Sequence, residues 1–372
     1  MSKDSGDPVK LAVDATALLV PRTGIGTFTA ELLKELGRRP DLEVSAFTVG
    51  RVGSHWLPDD IRRVVREVPG RLPSRIARRL WRRVPVPRVE WLTGRVDVVH
   101  GPNYLVPPTR RAATVLSVHD VGFEFDPPMS MASALGHRES VRAGIRRGAW
   151  LHTVSEYVAQ EIRAIYDVDP DRVVVVPNGA CLSEPGPHPA PGSPYILAMG
   201  AADRRKDLTS LVTAFDQVAQ EFSNLRLIHA GPDGDASEEL DQAIARSPHR
   251  QRILRLGWVD DHTRASLFHG ASVVAYPSLY EGFGLVPLEA MLTDTPVVTT
   301  KVAAIAEVAG EAALYVTPGD PDELAEALTS ALEDTELVAR LVASGRERVA
   351  EYTWERTAAE MTALYRRAVD DL

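Results

Sequence analysis

The chain has 372 residues, enough for roughly two or three domains at about 150 residues each. With 44% apolar and 25% charged residues it has a globular balance, which excludes a disordered or low-complexity chain. A net charge of −9 argues against nucleic-acid binding, and the single cysteine, Cys181, excludes an internal disulfide and any multi-cysteine zinc site. No apolar run approaches the roughly 18 residues of a membrane span, and residues 1–8 carry no apolar signal core, so a cytoplasmic protein is expected.

Short apolar, β-branched runs at 9–13, 43–47, 96–99, 113–118, 151–154 and 172–176 predict buried strands, and amphipathic stretches at 25–36, within 131–146 and at 155–166 predict the helices between them. A Pro- and Gly-rich interval, 184–194, then breaks the pattern as a linker does. Beyond it the alternation restarts, with strands at 195–199, 225–230, 252–256, 272–275, 296–299 and 312–316 and helices at 208–222, 238–246, 260–268 and 287–291. Largely helical stretches at 321–332, 336–351 and 354–369 close the chain. Strands alternating with helices predict parallel sheets covered on both faces. The expected architecture is therefore α/β, two Rossmann-like domains facing one another across a cleft, with ligands at the carboxyl ends of the strands. The expected domains are 1–185 and 186–353.

One segment departs from the average charge. Between Arg62 and Arg95 eleven arginines face only Glu67 and Glu90. Leu72, Ile76, Leu80 and Trp81 recur there at helical spacing, with Arg75, Arg78, Arg79, Arg82 and Arg83 on the other faces. Such a helix suits an anionic membrane surface or an anionic acceptor; alternatively it packs its apolar stripe on the core and leaves a solvated basic face.

Several fingerprints fail. Gly24-Ile-Gly26-Thr27 follows the first predicted strand, but Thr29 replaces the third glycine of a dinucleotide site. There is no Walker loop, no paired-histidine metal motif and no nucleophile elbow. The Asp233/Asp235, Asp169/Asp171 and Asp320/Asp322 pairs fall at turns or helix starts, where Asp is common for local reasons. No metal site is expected.

Two patterns remain. In Glu281-Gly-Phe-Gly-Leu-Val-Pro-Leu-Glu289, Gly282 and Gly284 favour a loop and Pro287 a first helical position, which puts Glu281 on the loop and Glu289 in the first turn. The Gly284, Leu285 and Val286 amides then lack intrahelical partners, an arrangement that suits a diphosphate; a plain helix cap with two solvated glutamates is the alternative. The second pattern is Gly200-Ala-Ala-Asp-Arg-Arg205-Lys206-Asp207-Leu208, where adjacent cations at a strand-to-helix turn would neutralise a diphosphate leaving group.

Together these runs resemble the retaining glycosyltransferases of family 4, which have the two-domain GT-B fold. The resemblance spans essentially the whole chain. Glu281 and Glu289 match the E-x7-E motif, and Gly200 through Leu208 match G-x-x-x-x-R-K-[ND]-L. Residues 100–107, Ser117-Val-His119-Asp120, Thr153-Val-Ser155-Glu156 and Val176-Pro-Asn178-Gly179 match runs typical of the first domain. The resemblance implies that Glu281 hydrogen-bonds the donor sugar, that Glu289 binds the ribose hydroxyls, and that Arg205 and Lys206 hold the diphosphate with the Gly284, Leu285 and Val286 amides. It also implies that His119 meets the sugar near the reacting carbon with Asp120 orienting it, and that Gly24, Gly26 and Thr27 form the loop approaching diphosphate and acceptor. The final helix, 354–372, would cross back onto the first domain.

The implied reaction moves a sugar from a UDP- or GDP-linked donor to a hydroxyl acceptor with retention, without metal or other cofactor, in cell-envelope glycan, glycolipid or natural-product synthesis. Peripheral contact with the inner face of a membrane through 62–95 is expected with it. The alternative is a catalytically silent two-domain protein that binds a nucleotide sugar or small molecule. Two stretches depart from the family: Ala303-Ala-Ile-Ala-Glu307 stands where many members have S-x-P-E, and 52–95 follows no family pattern.

Overall fold

The computed structural model describes residues 7–50, 52–70, 74–125, 134–190 and 192–372. Leu72 and the start of the predicted 131–146 helix lie outside the described residues, as does the Arg71 part of the basic segment. The described chain forms two compact units, each around one parallel sheet.

The first unit takes its residues from the chain up to Val121, from the stretch ending at Gly179 and from Trp354–Leu372. Its strands are β1 (Val9–Asp14), β2 (Leu42–Phe47), β3 (Arg66–Val68), β4 (Val98–Gly101), β5 (Ala113–Ser117), β6 (Trp150–Thr153) and β7 (Val173–Val175). They lie in the order β3-β2-β1-β4-β5-β6-β7. Leu11, Ala12 and Val13 are wholly buried, as a central strand covered on both faces demands. The sequence reading missed β3, because its three residues Arg-Glu-Val contain no apolar run and only Val68 is buried.

Polar residues in the middle of this sheet are hydrogen-bonded into one chain. His152 Nε2 faces the Val176 carbonyl at 3.0 Å and therefore carries the proton, which leaves Nδ1 to accept from Ser117 Oγ at 2.7 Å. Ser117 Oγ in turn accepts from His100 Nε2 at 2.7 Å, and His100 Nδ1 accepts from the Tyr365 hydroxyl at 2.8 Å. Every donor has one acceptor only while both imidazoles are neutral. Burial enforces that state, holding His152 down to about 3 and His100 well below its ordinary value. Tyr365 belongs to the Trp354–Asp370 helix, so this network fastens the chain's last helix to the first unit. Thr357 Oγ1, donating to Pro177 O at 2.7 Å, and the Arg366–Asp41 and Arg172–Asp371 ion pairs add to the attachment.

The second unit holds Ala180–Thr353 and the short segment from Gly122. Its strands are β8 (Tyr195–Met199), β9 (Arg226–Ala230), β10 (Ile253–Gly257), β11 (Val273–Tyr276), β12 (Val297–Thr300) and β13 (Leu314–Val316), in the order β10-β9-β8-β11-β12-β13. Phe215 of the Leu208–Glu221 helix and Leu328 of the Pro321–Glu333 helix are buried in one core beneath this sheet. The division falls between Gly179 and Ala180, ahead of the Pro-rich stretch. The chain there is already attached to the second unit: Ala180 N–H donates to Tyr352 O and Gly186 N–H to His262 O. Phe125, read from sequence as first-domain chain, packs edge-on against Tyr280 at 5.1 Å.

Both sheets reverse their strand order beside their first strand. β1 lies between β2 and β4, and β8 lies between β9 and β11. Connections leaving two such neighbours diverge to opposite faces, and the crevice outside their carboxyl ends is where open α/β sheets take ligands. In the second unit the loops at that point are those after β8 and β11, which carry both sequence patterns.

Candidate active site

The turn after β8 holds Arg204–Lys206 in one tight helical turn, ended by Asp207 in the left-handed region with φ 48°. Asp207 is stabilised there by the Ser210 hydroxyl, which donates to its carboxylate at 2.8 Å. Gly200 opens the turn at φ 131°, a conformation open to glycine, and a Cβ there would lie 3.4 Å from the Lys206 side chain. The loop after β11 is tied to this turn. Leu279 N–H donates to Arg205 O at 2.7 Å, and Arg205 Nη1 donates to Tyr280 O at 3.3 Å. Thr299 and Thr300 of β12 donate their hydroxyls to Tyr276 O and Ser278 O.

These two loops bring Glu281, Arg205 and Lys206 into direct contact. Arg205 Nη1 lies 2.7 Å from one Glu281 oxygen and Lys206 Nζ 2.5 Å from the other. Lys206 also donates to the Tyr276 hydroxyl at 2.6 Å. Burial raises the Glu281 carboxyl, but the two cations outweigh it and hold the group at about 2. Burial lowers Lys206 to about 8; Glu281 pulls its ammonium back up and Arg205 pushes it down. Burial and the Glu281 carboxylate together keep the Tyr276 hydroxyl protonated. Asp203 lies 3.9 Å from Arg205 Nε, so two carboxylates balance the two cations, and the guanidinium fork and the ammonium are the donors that suit a phosphate-bearing ligand.

Glu289 is paired separately. Arg264, in the Asp261–Gly270 helix, grips both Glu289 oxygens, Nε at 3.0 Å and Nη2 closer still. The Glu289 side chain is nearly buried, and burial pushes its carboxyl up while Arg264 opposes. The helix carrying Glu289 begins at Leu285 rather than at Pro287, with Gly284 at φ 121° before it. Glu289 therefore sits in the second turn, not the first. Pro287 is still within the turn whose amides have no intrahelical acceptor, so its missing N–H costs nothing. The Gly284, Leu285 and Val286 amides meet no acceptor among the described residues.

The remaining sequence candidates belong to the first unit. His119 follows β5 and directs Nε2–H at Pro102 O, 2.8 Å away, which leaves Nδ1 as an acceptor. Its ring stands edge-on to Phe28 at 5.0 Å, and Phe28 lies on the Gly24–Gly37 helix. Burial lowers the His119 imidazole, while its Pro102 bond and the Asp120 charge oppose. Asp120 accepts from the Tyr104 hydroxyl at 3.0 Å and acts on His119 by charge, while the Pro102 carbonyl fixes which ring nitrogen carries the proton. Gly24, Gly26 and Thr27 form the first helical turn, and a Cβ at Gly26 would meet nothing nearer than 3.6 Å. Packing within the unit thus does not require glycine there.

The aspartate pairs have local duties. Asp169 and Asp320 cap helical turns, Asp233 pairs with Arg255, and Asp235 accepts from the Arg204 amide. No group of three or more metal-ligating side chains occurs among the described residues, and no helix among them is long and apolar enough to cross a membrane. Sequence reasoning missed Arg264 and Tyr276. Tyr276 was legible as a hydroxyl at the end of a buried strand, whereas Arg264 is one arginine among many and carries no local signal.

Comparison with known proteins places the chain in a family and a fold. The family model described as Glycosyltransferase Family 4 matches residues 22–184, and that described as Glycosyl transferases group 1 matches residues 193–334. The O-antigen chain mannosyltransferase B of Escherichia coli is 27% identical over 96% of this chain and 100% of its own length. Among solved structures, a sucrose-phosphate synthase from Thermosynechococcus elongatus has TM-score 0.74 at 20% identity, covering 98% of this chain and 100% of that one. An Anabaena protein, HepE, solved with UDP-glucose, has TM-score 0.70 at 18% identity over 95% of this chain and 99% of its own.

Proposed function

The chain belongs to glycosyltransferase family 4 and has the GT-B fold, and from that premise we propose that it transfers a sugar from a nucleoside diphosphate donor to a hydroxyl acceptor with retention of anomeric configuration. The observation that carries the reading is the buried Glu281 carboxylate, held ionised at about 2 between Arg205 and Lys206 at the carboxyl end of β11.

In this reaction the bond between the anomeric carbon and the β-phosphate oxygen breaks, and the acceptor oxygen bonds to that carbon on the same face. The acceptor proton passes to the departing phosphate oxygen, and a nucleoside diphosphate leaves. Arg205 and Lys206, with the Gly284, Leu285 and Val286 amides, meet the charge that builds on the diphosphate. Glu281 accepts from donor-sugar hydroxyls through its remaining lone pairs, and Glu289, oriented by Arg264, accepts from the ribose hydroxyls. His119 offers Nδ1 to a sugar hydroxyl. The helical turn of Gly24, Gly26 and Thr27 approaches the diphosphate and the acceptor. With two cations already meeting the diphosphate, turnover needs no metal. The Escherichia coli relative is a mannosyltransferase of O-antigen synthesis, which favours a mannosyl donor and a cell-envelope glycan or lipid-linked acceptor, with the protein at the inner membrane face.

The test is donor turnover with GDP-mannose and a panel of UDP-sugars in excess EDTA, followed by anomeric analysis of the product. Nucleoside diphosphate release at an undiminished rate and a retained anomer are expected. An inverted product would refute retention, loss of turnover in EDTA would refute metal independence, and donor binding without any release would leave only a binding protein.

A further inference from the structure

The Ser74–Trp81 helix of the first unit carries arginines that none of these roles uses. It packs through Ala77 and Trp81, the latter donating its indole N–H to Pro87 O at 2.7 Å. The expected apolar stripe does not pack as a whole: Ile76 and Leu80 are 59% and 40% exposed, and Val84, one turn further on, is 38% exposed. Beside them Arg78, Arg79, Arg82 and Arg83 line a cavity of about 370 Å³ together with Glu139. Four guanidinium groups beside one carboxylate leave the cavity positively charged.

One arginine of the lining is held in place. Arg82 reaches across to the Ala134–Arg146 helix, with Nη1 3.5 Å from Glu139 and Nε donating to Ser140 Oγ at 3.3 Å. It lies so close over that helix that a Cβ at Gly136 would come within 2.6 Å of its guanidinium. The Arg79 and Arg83 guanidinium groups make no hydrogen bond or ion pair with a described residue. Arg78 acts electrostatically on Asp14, the last residue of β1, and both Arg78 and Arg82 act on His137. His137 stacks on Tyr104 at 4.4 Å, and Tyr104 holds Asp120 next to His119. The charge of the cavity therefore reaches Asp14, at the reversal point of the first sheet, and His137, which stacks on the tyrosine that holds Asp120.

We infer that this arginine cavity is the subsite for a phosphate or diphosphate group on the acceptor, an assignment that rests on the glycosyl-transfer reading above. A monocarboxylate would leave most of the guanidinium charge unmet, whereas a di- or trianionic phosphoester takes several arginine forks at once. The group arrives either on a free phosphoester or on a lipid-linked carrier, whose chain the exposed Ile76, Leu80 and Val84 would meet.

The experiment is calorimetric titration of inorganic diphosphate into the full chain, with saturating UDP or GDP filling the Arg205–Lys206 cradle. A second diphosphate site is expected, weakened tenfold or more by Arg79→Ala with Arg83→Ala. Arg82→Ala should weaken it similarly, with melting temperature recorded as a fold control, whereas Arg63→Ala with Arg95→Ala should leave it unchanged. Absence of binding under saturating nucleotide, or equal weakening by the control pair, overturns the subsite. Sedimentation with phosphatidylglycerol vesicles separates the sources. Vesicle binding lost in Ile76→Asp and Leu80→Asp, with diphosphate binding kept, assigns a lipid-borne group; diphosphate binding without vesicle binding assigns a free phosphoester. Sugar transfer without arginine-dependent diphosphate binding overturns the subsite alone. Diphosphate binding with no turnover of any nucleotide sugar overturns the functional reading and the acceptor assignment with it.

Discussion

Replacing Lys206 by arginine should remove an alkaline limb from the enzyme's pH profile. Burial takes the Lys206 ammonium from its ordinary 10.5 to about 8. That shift disfavours the charged form by roughly 3 kcal/mol at about 1.4 kcal/mol per unit. In the empty site about nine-tenths of the molecules carry the charge at pH 7 and about one-tenth at pH 9, so kcat/KM for the donor should fall about tenfold between them. Because the folded value lies below the unfolded one, the unfolded chain holds more protons between about pH 8 and 10.5, and stability rises with pH there. Activity and stability thus move in opposite directions, which separates this limb from alkaline unfolding. Bound diphosphate favours the ammonium, so the corresponding limb in kcat should lie at higher pH. Arginine stays charged throughout, and Lys206→Arg should show lower but pH-flat kcat/KM up to pH 9.5. A flat profile in the native enzyme, or the same limb in the arginine variant, would refute the role given to Lys206.

Glu281→Ala should lower kcat by roughly 10²-fold or more, since the carboxylate acts on the sugar as it moves and its loss also strands the buried Lys206 ammonium; steady-state kinetics with an intact melting temperature checks this. Arg264→Ala strands the buried Glu289 carboxylate, and nucleotide binding should weaken by about 1–3 kcal/mol, read by calorimetry against Glu289→Gln in a double-mutant cycle; additive losses would contradict the pairing. His152 titrates at about 3 in the fold against an ordinary 6.5, so its contribution is complete above pH 6.5 and lost as pH falls toward 3, amounting to about 3 kcal/mol at pH 4.5. The melting temperature should drop across that window. Tyr365→Phe, which leaves His100 Nδ1 without its donor, should cost about 1–3 kcal/mol at neutral pH by denaturant titration.

Periodicity alone was sufficient for the α/β class and for most strands, because a parallel strand covered on both faces has to be an unbroken apolar run and so announces itself locally. It was sufficient too for the loops bearing Glu281 and Lys206, since glycine at a strand end marks a place where the backbone turns sharply. What lay beyond it were features with no local requirement. β3 is three residues paired at the sheet edge by backbone bonds, so its side chains need not be apolar. Arg264 meets Glu289 only because two helices of the second unit converge, and a surface-competent arginine looks the same in sequence whether or not a partner is opposite. The basic helix turned its Ala77–Trp81 edge inward and left Ile76 and Leu80 outside, a rotation set by the shape of the surface receiving it. Local backbone preference and apolar spacing are properties of a short stretch and can be read from it; which charge faces which depends on distances between stretches, and those exist only once the chain has folded.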